Sequence, residues 1–151
     1  MVNGDKAFIQ GYNCQAAVDD TPHHIVLAAE VSNQAADNPH LVPMVRAVMR
    51  NTGGKPCRFS ADAGYGAAAN LEALAVLGID AYIAQRRERD TVAASAPRGR
   101  IPQAMAIGPR MARKLRTQAG RAVYKRRKHV AELPFGVIKQ AMGFRQFTCE
   151  A

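Results

Sequence analysis

The stretch Phe59-Ser-Ala-Asp-Ala-Gly-Tyr65 constrains the fold of this chain most. A short run from Arg58 ends on Asp62, and a Gly-containing turn follows at once. Helical patterning flanks it on both sides. Upstream, Leu41, Met44, Val45, Val48 and Met49 form one apolar stripe at helical spacing. Asp37-Asn-Pro-His opens that helix, with Asp37 or Asn38 expected as the cap and Pro39 in the first turn. Asn51-Thr-Gly-Gly54 stops it. Downstream, Ala67 to Leu77 reads as a second helix, with Leu71, Leu74 and Ala75 inward and Gly78 as its stop. Ala81-Tyr-Ile-Ala84 is a short strand after it. Residues 8–19 alternate as a strand, and Ile25 to Val31 is a β-branched apolar run that pairs with it across Asp20-Thr-Pro-His. Strands alternating with helices in this order predict an α/β layer with some parallel pairing.

The C-terminal half is less regular. Residues 86–118 lose periodicity and are rich in Arg, Ala and Pro, so an irregular basic insertion is expected there. Ala119 to Gln140 reads as a helix that Pro134 and Gly136 must kink or restart. No internal repeat is present. At 151 residues and 48% hydrophobic, the chain supports a single domain with a real core.

Composition narrows the function classes. No apolar run approaches the roughly 20 residues of a membrane span. Met1-Val-Asn-Gly-Asp5 lacks the basic and apolar regions of a secretory signal. Cys14, Cys57 and Cys149 form neither a disulfide framework nor a zinc motif, so a cytoplasmic location is expected. Cys57 reads as a small core residue. Charge is split along the chain. Residues 1–82 carry five Lys/Arg against eight Asp/Glu, whereas residues 83–151 carry sixteen against four. A basic block so concentrated is the footprint of a protein that neutralises phosphates, or else a solvated tail.

Two acids fit that footprint. Asp62 ends a strand, where a rigid carboxylate suits a hard cation; taken alone it also reads as a turn aspartate. Glu132 lies seventy residues later in Tyr124-Lys-Arg-Arg-Lys-His-Val-Ala-Glu132, with Lys139 beyond. An acid at a strand end combined with an acid amid Arg and Lys points to metal-dependent chemistry on a polyanion. His23 and His24 read as exposed turn residues, and His129 as part of a solvated face. Tyr65 and Tyr82 read as packing residues, with Tyr65 near enough to Asp62 to line a site.

Four blocks in order carry a resemblance. Gly11-Tyr-Asn-x-Gln-x-Ala-Val-Asp19, Ala61-Asp-Ala-Gly-Tyr65, Gly78-Ile-Asp-Ala-Tyr-Ile83, and Tyr124 through Phe135-Gly-x-Ile-Lys139 resemble the C-terminal part of the catalytic domain of bacterial insertion-sequence transposases of the DDE type. The resemblance spans about Phe8 to Phe147. It implies a ribonuclease H-like mixed sheet with flanking helices, and allows the first strand to be missing. It implies cutting and joining of DNA phosphodiesters with two Mg²⁺ ions, Mn²⁺ being a substitute. Asp62 matches the family's second acid and Glu132 the third. Asp19 is the candidate for the first, its other reading being a hairpin aspartate. Tyr124, Arg127 and Lys139 resemble the family's tyrosine–arginine–glutamate–lysine signature. Together with Lys125, Arg126 and Lys128 they are the expected DNA contacts.

The match departs from the simple pattern near Glu132. Four residues separate it from Arg127, Lys128 fits the shorter gap, and Leu133 precedes Pro134. The partners expected are insertion-sequence ends and target DNA, with a homodimer allowed. The chain starts only a few residues before Gly11, so the expectation is a truncated remnant that is weakly active or inactive alone. The rival expectation is a non-catalytic nucleic-acid-binding protein that uses the basic half. A metal-dependent nuclease that hydrolyses strands without joining them is a third.

Overall fold

The computed structural model describes residues 11–85, 99–102 and 104–143. Strand β1, Asn13–Val18, pairs antiparallel with β2, Val26–Ser32. The ladder runs from Asn13 opposite Ser32 to Val18 opposite Val26, with a bulge between Ala17 and Val18. A 3-10 turn, Asn38–His40, leads into helix α1, Leu41–Thr52. Gly53 ends α1 at φ 68°, a left-handed backbone that glycine adopts without Cβ strain. Strand β3, Arg58–Ala61, is followed by a 3-10 turn, Ala63–Tyr65, and by helix α2, Ala68–Val76. Strand β4, Asp80–Ile83, then lies parallel to β3, with Arg58 opposite Asp80 and Ala61 opposite Ile83.

The α/β class and the parallel pair match the sequence reading. The single mixed sheet does not. Among the described residues the strands form two separate two-stranded ladders, β1–β2 and β3–β4. Their relative direction follows from side-chain contacts. Asn13 at the start of β1 bonds to Asp37, which lies beside Asp62 at the end of β3. Asp19 and Asp20, just past β1, share a cavity with Pro56 and Arg58 at the start of β3. The strands β1 and β3 therefore run in opposite directions on either side of that cavity.

The region expected to be an irregular insertion is in part a regular helix. Helix α3 spans Ile107–Arg116. Met111 and Leu115 are buried, and Ile107 packs on the same cluster, so the spacing of four turns one apolar edge inward. Pro109 is tolerated because the first turn needs no internal N–H bond. The arginines masked this stripe in the sequence. Residues 86–98 of the expected insertion lie outside the described residues, as do residues 8–10 and 144–147 of the resemblance.

Helix α4, Gln118–Gly136, begins at Thr117, whose hydroxyl accepts from Gly120 N at 3.0 Å. It runs through Pro134 and passes into a π turn at Val137–Ala141, rather than breaking at the proline. Helix α4 touches β1, β3 and β4, so it bridges the two ladders. Lys114 of α3 fixes this end of the fold. Its Nζ lies 2.5 Å from Asp80 Oδ1, donates to Ala81 O at 2.6 Å, and sits 3.7 Å from the Tyr82 ring centre.

The main core gathers Leu41, Val45, Leu71, Leu74 and Ile83, with Tyr124 from α4 among its buried members. A smaller cluster joins Ala28 of β2 to Met44 and Val48 of α1. Ala75, expected inward, is exposed, and so is Cys57, which lies just before β3 rather than in the core. No helix among the described residues is long and apolar enough to cross a membrane.

Leu74 and Val76 offer an internal comparison, since Leu74 is 0% exposed and Val76 is 88% exposed. Leu74→Ala should lower unfolding free energy by about 2–5 kcal/mol, and Val76→Ala by less than about 0.5 kcal/mol, in urea titrations followed by circular dichroism.

Candidate functional site

Asp62 follows β3 directly and takes an extended backbone, φ −78° and ψ −177°. Its Oδ1 accepts from Gly64 N at 2.8 Å, which closes the 3-10 turn and fixes the carboxylate at the strand end. The turn aspartate and the candidate ligand are thus the same arrangement. A second acid lies beside it. A Cβ placed on Gly64 would come 2.5 Å from Asp37 Oδ2 and 3.0 Å from Asp62 Oδ1. The two carboxylates therefore converge on Gly64, and any larger residue there would separate or displace them.

Asp37 does not cap the helix, as its sequence position suggested, because it makes no capping bond to the 3-10 turn. Its Oδ1 instead accepts from Asn13 Nδ2 at 2.8 Å and Gln15 Nε2 at 3.3 Å. Asn13 and Gln15 are two apart on β1, so the pleat points both amides to the same side. That spacing was visible in the sequence, but the loop that supplies the acceptor was not.

Neighbouring loops hold the pair in place. Asn38 Oδ1 accepts from Ala67 N at 3.2 Å. Asn70, buried at the start of α2, donates to Asn38 O at 2.9 Å and to Tyr65 O at 3.1 Å. The loop bearing Asp37 and the turn bearing Asp62 are thereby stitched together by side-chain amides. Tyr65 completes the site. Burial first, then the nearby Asp37 and Asp62 charges, pushes its phenol up to about 12, so it stays a proton donor at neutral pH.

The other acids lie elsewhere. Asp19 accepts from Thr21 Oγ1 and from Ile25 N, both at 2.6 Å, which closes the β1–β2 hairpin. Its carboxyl is held below the usual range: the Thr21 bond is the largest cause, burial opposes it, and the Ile25 bond and nearby histidines assist. Glu132 is exposed and lines a hollow on α4 with His129, Leu133 and Gly136. It makes no hydrogen bond or ion pair with Asp62. Among the described residues, no three His, Cys, Asp or Glu side chains are grouped closely enough to hold a metal ion.

The basic segment divides by helix face. Tyr124 is buried in the core, and the Arg127 guanidinium stacks on its ring at 4.7 Å. Arg126 pairs with Asp20 and so ties α4 to the hairpin. Lys125, Lys128 and Lys139 are exposed. His24 and His129 meet edge to face at 5.9 Å, which joins the same two elements.

The Asp37–Asp62 pair suits one divalent cation in part. It offers two hard oxygen donors on rigid turns, and Gln15 Oε1 is a buried acceptor without a partner beside them. A second cation would need more carboxylates than converge here.

Two titrations probe the pair. The folded Tyr65 phenol is raised above its unfolded value, so its contribution to stability is complete below pH 10 and disappears as pH rises towards about 12. Asp37→Asn removes one charge that disfavours the phenolate. Ultraviolet titration should therefore show the Tyr65 midpoint falling towards 10 in that variant, compared with about 12 in the parent.

The family model described as "Transposase DDE domain" matches residues 2–151. No curated protein and no solved structure matches the chain. With the strand-end aspartate, the turn that holds it and nearly the whole length covered by that match, the chain belongs to the transposase DDE domain family.

Proposed function

We propose that this chain is a ribonuclease H-like domain that cuts and joins DNA phosphodiesters with the help of a divalent cation, Mg²⁺ or Mn²⁺. The observation that carries this reading is the convergence of Asp37 and Asp62 on Gly64 at the end of β3. Two carboxylates that converge repel each other and repel a DNA phosphate, so a cation held by them would relieve both costs. A divalent cation in this position would supply Lewis-acid stabilisation of the charge that develops on phosphodiester oxygens.

The chain's own residues have separate tasks. Asp62 and Asp37 would hold the cation. Asn13 and Gln15 fix the orientation of Asp37 by donating to it. Asp19 uses both carboxylate oxygens in its hairpin, which favours Asp37 over it as the partner of Asp62. Glu132 remains a proposed ligand on the strength of its sequence block. Tyr65, protonated at neutral pH, can donate to a phosphate oxygen beside the acids. Lys125, Lys128 and Lys139 present positive charge to the DNA backbone, and Arg126 joins them when its pair with Asp20 opens. Joining two DNA ends suits two copies of the chain, so a homodimer on DNA belongs to the same proposal.

The rival reading, a non-catalytic DNA-binding protein, draws support from the absence of a three-acid group among the described residues. Strand transfer with a duplex carrying a pre-cut 3′-hydroxyl end separates the two. Mg²⁺ should produce joined product, and Asp62→Asn should reduce it at least about a hundredfold, because metal stabilisation is worth several kcal/mol. DNA binding with no metal-dependent product would leave the rival reading standing. Cleavage without joining would make the chain a nuclease.

Binding is checked independently of chemistry. Lys125→Ala with Lys128→Ala should weaken affinity for unrelated duplexes alike and reduce the salt slope by about two units. An unchanged slope would remove these lysines from the interface.

A further inference from the structure

We propose that the cavity formed by α2, β4 and α3 binds a small amphipathic phosphate monoester, an apolar ring that carries one dianionic phosphate. The cavity holds about 510 Å³, a size typical of small-molecule sites. Leu71 of α2, Ile79 just before β4, and Ile107 and Met111 of α3 line it with apolar surface. It shares no lining residue with the cavity beside Asp19 and Asp20. It also lies at the opposite end of the β3–β4 ladder from the paired acids. Asp80, in its wall, stands opposite Arg58 where the ladder starts, whereas Asp62 follows the last residue of β3.

Charge sets the polar end of the ligand. Arg100, Arg110 and Lys114 line the same cavity, and Asp80 is the one acid among its lining residues. Lys114 is already committed, to Asp80 Oδ1 at 2.5 Å and to Ala81 O at 2.6 Å. The side chains of Arg100 and Arg110 make no hydrogen bond or ion pair among the described residues. Three cations against one carboxylate leave a net charge of +2 around the cavity. Gathered like charges repel, and a dianion cancels them. A phosphate monoester is close to doubly charged above its second pKa of about 6, whereas a carboxylate carries one charge. Guanidinium groups also match phosphate oxygens in pairs.

One helix supplies both kinds of contact. Ile107 and Met111 are four residues apart on α3, and so are Arg110 and Lys114. Residues at that spacing share a helix face, so an apolar row and a basic row run side by side along the cavity. Arg100 and Ile101 repeat the pairing from the segment before α3. An apolar wall alone accepts any oily molecule, and a basic row alone accepts any polyanion. Side by side they select a ligand that has both parts, which is the usual design of a small-molecule site: apolar walls with a few placed polar groups.

The test uses the full chain and 1-naphthyl phosphate at about pH 8, where the phosphate is doubly charged. A chelator is present, so no cation on Asp37 and Asp62 can recruit the phosphate. The chain has no tryptophan, so naphthyl emission reports binding directly. The probe should bind saturably, and 1-naphthol and inorganic phosphate should each bind at least about tenfold more weakly, since each lacks one half of the contacts. 1-Naphthoate, with the same ring and a single charge, should fall between them and the probe. Arg100→Ala with Arg110→Ala should weaken the probe at least about tenfold. Ala75 is exposed and lines the cavity, so Ala75→Phe should fill it and weaken the probe without disturbing the core. Circular dichroism checks that both variants fold. No saturable binding, or inorganic phosphate or 1-naphthol binding as tightly as the probe, would overturn the proposal. So would folded variants with unchanged affinity, and naphthoate equal to the probe would overturn the choice of a phosphate. Neither DNA nor metal enters the measurement, so its failure is distinct from failure of the transposase reading.

Discussion

Packing of side chains across two hydrogen-bonded ladders is the constraint on which the rest of this structure depends. No backbone ladder joins β1–β2 to β3–β4 among the described residues, so helices must hold the halves together. Helix α1 joins them from one direction, with Met44 and Val48 on Ala28 and with Leu41 and Val45 in the main core. Helix α4 joins them from another, through Tyr124 in the core and Arg126 on the hairpin aspartate. Apolar burial is non-directional, so it can unite elements that share no hydrogen-bond pattern. The relative position of Asp37 and Asp62 is inherited from that packing and then fixed by the Asn38 and Asn70 amides.

The site shows how one short turn serves structure and chemistry together. The Asp62–Gly64 bond holds the turn, and the missing side chain at Gly64 leaves room for Asp37. An aspartate that only capped a turn would not need a second carboxylate beside it. The cost of the pair registers on Tyr65, whose phenol resists ionisation because of its burial and because of both charges. Positive charge is concentrated on α3 and α4, and part of it is used internally. Lys114 holds β4, Arg126 holds the hairpin, and Arg127 stacks on Tyr124. A run of basic residues is therefore not a uniform phosphate-binding surface; helix geometry turns about half of it towards the protein.

Much of the fold was legible because local pattern and final environment agree. The stripe in α1, Leu71 and Leu74 of α2, the hairpin, and the strand ending on Asp62 all follow from periods of 3.6 and 2 that survive folding. Helix α3 was missed because Arg110, Arg113, Lys114 and Arg116 hid a stripe only three apolar residues long. Such a helix is stable through what it docks on, and the docking surface is far away in sequence. Cys57 was misplaced for a related reason, since a small apolar residue just before a short strand carries no signal of the side on which the core lies.

Residue order alone carries the family, the α/β class, the strand-end position of Asp62 and the split of charge between the two halves. These depend on residue type and spacing along the chain, which folding does not alter. Packing in three dimensions brings Asp37 beside Asp62, closes Asp19 into its own hairpin, and lets Asn13 and Gln15 orient Asp37. Packing likewise turns Arg127 and Tyr124 inward while Lys125 and Lys128 face out. Those outcomes depend on how elements some twenty to one hundred residues apart are packed, and in that packing the identity of a neighbour is set by shape and burial rather than by order in the chain.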